Sequence, residues 1–90
     1  MTENRMKQFK NLKEKYSDAL LLFRCGDFYE SYKEDAATVA NACGLTLTKY
    51  KDGTLLTAFP HFSLDTYLPK LIRAGHRVAF CNELKEREAQ

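Results

Sequence analysis

A chain of 90 residues with a formal charge of +2 has room for one domain and too little positive charge to hold nucleic acid by bulk electrostatics alone. Its apolar fraction of 44% and charged fraction of 29% are those of an ordinary soluble globular protein with a modest core. The longest apolar run, Ala19 to Phe23, falls far short of a membrane span, and the polar start from Met1 to Lys7 lacks a secretory signal's apolar segment; the expectation is a cytoplasmic protein with no membrane partner.

Met6, Phe9, Leu12 and Tyr16 recur at steps of three and four and predict a first helix, with Lys7, Lys10, Lys13 and Lys15 on its solvated surface. Ala19 to Phe23 predicts a strand covered on both faces, ended by Arg24-Cys25-Gly26. Tyr32, Ala36, Val39, Ala40 and Cys43 share one side of a second helix, which Gly44 is placed to cap. Leu45 to Tyr50 and Thr54 to Phe59 predict two strands joined through Asp52-Gly53, a dipeptide suited to a type I′ hairpin turn.

Leu64, Tyr67, Leu68, Leu71 and Ile72 form the stripe of a third helix, with Ser63 or Asp65 as its N-cap and Gly75 as its stop. Pro69 within it costs a hydrogen bond and bends the helix if the cap is Ser63. Arg77 to Cys81 is a last strand, and a polar tail follows at about residues 85–90. The order α-β-α-β-β-α-β over residues 1–90 predicts a single α+β domain, a mixed four-stranded sheet with flanking helices.

Cys25, Cys43 and Cys81 are odd in number, widely separated and set in apolar stretches, which suits buried free thiols. A zinc site needs about four close ligands, and His61 and His76 are not spaced to complete one, so no metal is expected. Asp27 and Glu30 can pose as paired carboxylates with His61 as a base. With no nucleophile signature, metal cluster or phosphate loop beside them, the expectation is a non-enzyme without catalytic residues or cofactor.

Residues 26 to 34 allow two local structures. In one, Asp27 is an N-cap and Glu30 closes a capping box, so Phe28 and Glu30 diverge around a helix. In the other, Ser31 is the cap, Glu34 closes the box, and Asp27 to Glu30 is extended. Phe28 and Glu30 then project together, roughly 6–7 Å apart, with Gly26 permitting a sharp turn before them. A ring and an acceptor leaving one strand end suit insertion at a weakened base step.

Gly-Asp-Phe-Tyr-Glu at 26–30, followed by Asp35-Ala36, resembles the signature of the N-terminal mismatch-recognition domain of the MutS family. The likeness continues through Leu45-Thr46-Leu47-Thr48-Lys49, Phe59-Pro60-His61, Leu64 to Leu71, Arg73-Ala74-Gly75 and Val78-Ala79, in order, across about residues 6 to 84. The resemblance implies the extended geometry, with Phe28 stacking on a mispaired base and Glu30 hydrogen-bonding to it. It further implies DNA contacts at Lys49 and at Leu56, Thr57 and Ala58.

Some positions depart from the pattern. Ala58 stands where the family usually has Gly, Phe62 where it has His and Tyr50 where Arg is common, and the hairpin is short. The family acts as a dimeric ATPase clamp, whereas these 90 residues hold no Gly-x-x-x-x-Gly-Lys loop, so no ATP is expected on this domain. The expected partner is double-stranded DNA carrying a mismatch or distortion, bound weakly and aided by a tethering protein. The alternative is a protein–protein interaction module that keeps the fold without mismatch recognition.

Overall fold

The apolar run beginning at Ala19 becomes a central strand because helices cover it from both sides. In the computed structural model, which describes residues 3–82, strand β1 (Ala19–Cys25) is buried from Ala19 to Phe23. It turns through Gly26-Asp27 into β2 (Phe28–Tyr32), antiparallel, with Cys25 opposite Phe28. Gly26, at φ 60°, takes the first place of this two-residue turn, where a side chain is disfavoured.

Around this hairpin stand α1 (Glu3–Lys15), α2 (Lys33–Cys43), β3 (Thr48–Lys49), β4 (Leu55–Pro60), a 3-10 turn at His61–Ser63, α3 (Leu64–Arg73) and β5 (Arg77–Asn82). The sheet runs β3-β4-β2-β1-β5, with β5 parallel to β1 and the other neighbours antiparallel. The α+β class and the mixed sheet are as expected, but among the described residues the sheet has five strands, and the elements run α-β-β-α-β-β-α-β.

The additional strand is β2. Tyr32 lies four residues before Ala36 and so mimics the first member of the second helix's stripe. Its ring instead packs on the opposite side of the sheet from α2. The polar tail at about 85–90 lies outside the described residues.

Strand alternation sorts the core into two layers. On one face α1 lays Phe9 against Leu21, Phe23 and Tyr32, with Met6, Leu12, Cys25, Leu56, Ala79 and Cys81 at the margin. On the other, Val39 and Cys43 of α2 and Leu71 of α3 close over Leu20, Leu22 and Phe59. Phe9, Phe23 and Tyr32 form an aromatic triad with centroids 5.3 to 6.3 Å apart.

Helix boundaries depart from the sequence expectations in informative ways. Neither Asp27 nor Ser31 caps α2. The helix begins at Lys33, in the left-handed region at φ 56°, after Tyr32, which makes no side-chain cap bond. Ser31 is instead buried in β2. Ser63 occupies the N-cap position of α3 without a side-chain bond, and the helix runs through Pro69.

Gly44 and Gly75 end α2 and α3 as expected, at φ 71° and 90°. The Asp52-Gly53 hairpin exists, but only Gly53 has positive φ. Gly53 N–H donates to Tyr50 O and Tyr50 N–H to Thr54 O, each at 2.9 Å, which is a glycine-bulge turn rather than type I′.

Lys13 is not solvated surface. Its ammonium reaches Asp35 at 2.9 and 3.0 Å and also donates to Ala19 O. The buried Asp35 carboxylate accepts Leu21 N–H at 3.1 Å, beyond the β1–β2 pairing that begins at Phe23. One carboxylate therefore ties α1, β1 and α2 together. No helix among the described residues is long and apolar enough to cross a membrane.

Candidate nucleic-acid interface

Phe28 opens β2 at the rim of the sheet, extended and 46% exposed. A singly exposed phenylalanine is ordinary on a protein surface, and what sets Phe28 apart is the rigidity of its mount. The turn before it is braced on both sides. Arg24 Nε donates to Gly26 O at 2.7 Å, and His61 N–H donates to Asp27 O at 2.7 Å. Cross-strand pairing then holds Phe28 between Cys25 and Pro60.

Glu30 follows two residues later on the same face, flanked by Phe23 of β1 and Ala58 of β4. The small, exposed side chain of Ala58 leaves the surface beside the acid open. Phe28 and Glu30 thus leave one rigid strand side by side, as the extended alternative requires. The face carrying them is the one α1 covers further along, at Tyr32 and Phe23.

The expected contact residues divide by strand parity. Leu56 and Ala58 share the face of Glu30, opposite Tyr32 and Glu30 respectively. Leu56 is half-buried against the Phe9 cluster, whereas Ala58 is open. Thr57 points to the other face, 2% exposed, with its hydroxyl donating to Thr46 O at 2.8 Å. Lys49 pairs with Leu55, so it too lies on the parity of the opposite face, exposed. Phe28, Glu30 and Ala58 come together at the surface; Thr57 and Lys49 do not join them.

Glu30 is not an isolated acid. The Tyr32 hydroxyl donates to Glu30 Oε1 at 2.6 Å and accepts from Arg5 Nη1 at 2.7 Å. Arg5 also donates to Cys25 Sγ at 2.7 Å, and its guanidinium lies 5.6 Å from the Phe23 ring centre. Burial pushes the Tyr32 hydroxyl well above its ordinary range, and the bond to Glu30 pushes the same way, so it remains a proton donor. Burial, then the Glu30 charge, likewise raises the half-buried Tyr50.

Sequence reasoning missed Arg5, Cys25, Tyr32 and Tyr50 as neighbours of Glu30. The available signal was the period of two through Phe28, Glu30 and Tyr32 after a Gly-Asp turn. Phe62 is a second exposed ring near this rim, 76% exposed and edge-on to His61 with centroids 5.8 Å apart. Among the described residues no group of three or more His, Cys, Asp and Glu is arranged to hold a metal.

Comparison with known proteins gives a consistent family. The chain is 56% identical over 85 residues to the DNA mismatch repair protein MutS of Bacteroides fragilis. It is 54% identical to the MutS of Cytophaga hutchinsonii and 53% to that of Flavobacterium johnsoniae, again over 85 residues. Each alignment takes in 90% of this chain but only 10% of the relative, so the chain spans about a tenth of the length of these proteins. The MutS domain I family matches residues 3–90, and the chain belongs to that family.

Proposed function

We propose that this domain is a DNA-binding module that senses mismatched or distorted duplex, with Phe28 entering the base stack and Glu30 hydrogen-bonding to the displaced base. The observation that carries this is the exposed Phe28 ring on a braced strand end, on the same sheet face as Glu30. Kinship with proteins named for DNA mismatch repair supports it. Ala58 borders the pair and is a neighbouring contact. Lys49 reaches a backbone phosphate only if the duplex extends past the sheet edge. Thr57 contributes through the fold.

The energetics favour defects over intact DNA. Stacking a base on a ring is worth on the order of 1–3 kcal/mol, and unstacking a paired step costs a few. The two nearly cancel on a matched duplex, whereas a mispair, already poorly stacked, shifts the sum toward binding. The domain is taken as non-catalytic and as binding no ATP itself.

Affinity of the domain alone is expected to be weak. A single small module buries about 600–1,000 Å² against DNA, and non-specific dissociation constants run near 10⁻⁴–10⁻⁶ M. With a formal charge of +2, micromolar binding or weaker is expected. A tethering partner, or further domains like those that make up the rest of its relatives, would raise the effective concentration at DNA.

The test is titration of matched, mispaired and single-base-bulged duplexes at low salt, for the wild type and Phe28→Ala. A preference for the defective duplexes that disappears in Phe28→Ala is the expected result. Equal binding to all three duplexes, or an unchanged preference in the variant, would overturn the function and favour a protein–protein role for the same face.

A further inference from the structure

We infer that Tyr32, oriented by Arg5 from α1, is a positioning residue for Glu30, fixing where the carboxylate stands beside Phe28 before a duplex arrives. Tyr32 can position a base contact only if Glu30 makes one, so the inference rests on the proposed DNA-binding function.

An unsupported glutamate on an open strand face samples several rotamers and must lose that freedom on binding. Here three supports act in series. The Tyr32 ring is fully buried, clamped between Phe9 and Phe23 with centroids at 6.0 and 5.3 Å, so its oxygen is a fixed point on the sheet. A phenol has one proton to give. With Arg5 Nη1 donating to the hydroxyl at 2.7 Å, that proton is directed to Glu30 Oε1 at 2.6 Å.

The carboxylate has a second oxygen and further lone pairs, so the bond anchors it without using up its accepting capacity. The Arg5 cation stands one hydroxyl behind the acid, where it offsets the repulsion between Glu30 and nearby phosphates. Burial keeps the Tyr32 hydroxyl protonated across the working pH range.

Tyr32→Phe removes the hydroxyl and keeps the ring that fills the triad. The experiment compares mispaired and matched duplexes in competition at low salt, for wild type, Tyr32→Phe, Glu30→Ala and the double variant, each checked for folding by urea denaturation. The rotamer averaging of Glu30 is measured in parallel by side-chain scalar couplings without DNA.

Tyr32→Phe should lower the preference for the mispair about fivefold, within the range expected when one long side chain must be immobilised on binding. Matched-duplex affinity should be unchanged, Glu30 should become rotamer-averaged, and Tyr32→Phe should add nothing in the Glu30→Ala background. A full preference retained by Tyr32→Phe would overturn the inference, as would an effect that persists without Glu30 or a Glu30 rotamer that does not change. A wild type with no preference for the mispair would overturn the DNA-binding function itself, an outcome distinguishable from the others because it precedes any substitution.

Discussion

Asp35→Ala should be among the most damaging polar substitutions in the domain. Asp35 accepts Leu21 N–H at 3.1 Å inside the core and pairs with the Lys13 ammonium at 2.9 Å. Removing the carboxylate strands a buried backbone donor, which costs about 1–3 kcal/mol. The Lys13 side chain retains 28% of its exposure, so its charge can relax toward water and the lost pair adds at most about 1 kcal/mol. The expected total is about 3 kcal/mol, a large share of the roughly 5–10 kcal/mol available to a domain of this size.

Urea denaturation followed by circular dichroism should show the midpoint falling with an unchanged slope. The thermal midpoint should drop by about 12–24 °C. Asp35→Asn, which keeps an oxygen for Leu21 N–H, should cost only about 1 kcal/mol. A loss below about 1 kcal/mol in the alanine variant would refute the stranded-donor account, and so would an asparagine variant as unstable as the alanine one.

Lys33→Gly should stabilise the domain by about 0.5–1 kcal/mol, since Lys33 sits at φ 56° where glycine carries no steric penalty; an unchanged or lower urea midpoint would count against strain at that junction. Burial raises Cys25, Cys43 and Cys81 above the ordinary thiol value of 9.0. These thiols therefore ionise first in the unfolded chain. Their contribution to stability is complete below about pH 9 and is lost as pH rises past it, so urea midpoints should hold from pH 7 to 8 and fall from about 9 upward. Thr57→Val should lose about 1 kcal/mol of stability with the hydroxyl's bond to Thr46 O, while leaving any preference among duplexes intact. Phe28→Ala should shift stability by no more than about 1 kcal/mol, because its ring is half exposed; a larger loss in urea would place the ring in the core.

The elements with strong periodicity were legible from composition and spacing alone. Phe9, Val39, Cys43 and Leu71 fall on helix stripes and are buried as those stripes require. The glycines at 44 and 75 stop the helices they follow. β2 was harder to see, because a strand that passes directly into a helix leaves no punctuation at the join. The transition is carried by one left-handed lysine, a residue type that gives no such signal.

Of the site, the Phe28–Glu30 pair could be read once an extended backbone was chosen over a capping box. What lies behind it could be read only in part, since the period of two reaches Tyr32 but gives no sign of Arg5. Arg5 and Tyr32 are 27 positions apart, and their bond depends on how α1 crosses the sheet. The resemblance grouped Lys49 and Thr57 with Ala58, whereas pairing parity puts them on the other face of the sheet.

The two hairpins should tolerate changes of length very differently. The Tyr50–Thr54 turn lies at the Tyr32 end of the sheet, away from Phe28, and an extra residue there alters only the turn. One residue added between Gly26 and Phe28 would break up the two-residue turn that Arg24 and His61 brace, and where the strand slides to keep that turn tight the pairing of β2 shifts by one place. Every side chain on that strand would then exchange sides, carrying Phe28 and Glu30 beneath the helices and bringing Tyr29 and Ser31 into the open. Length at the first turn is therefore constrained by the geometry of the sheet, whereas the second turn is free to lengthen.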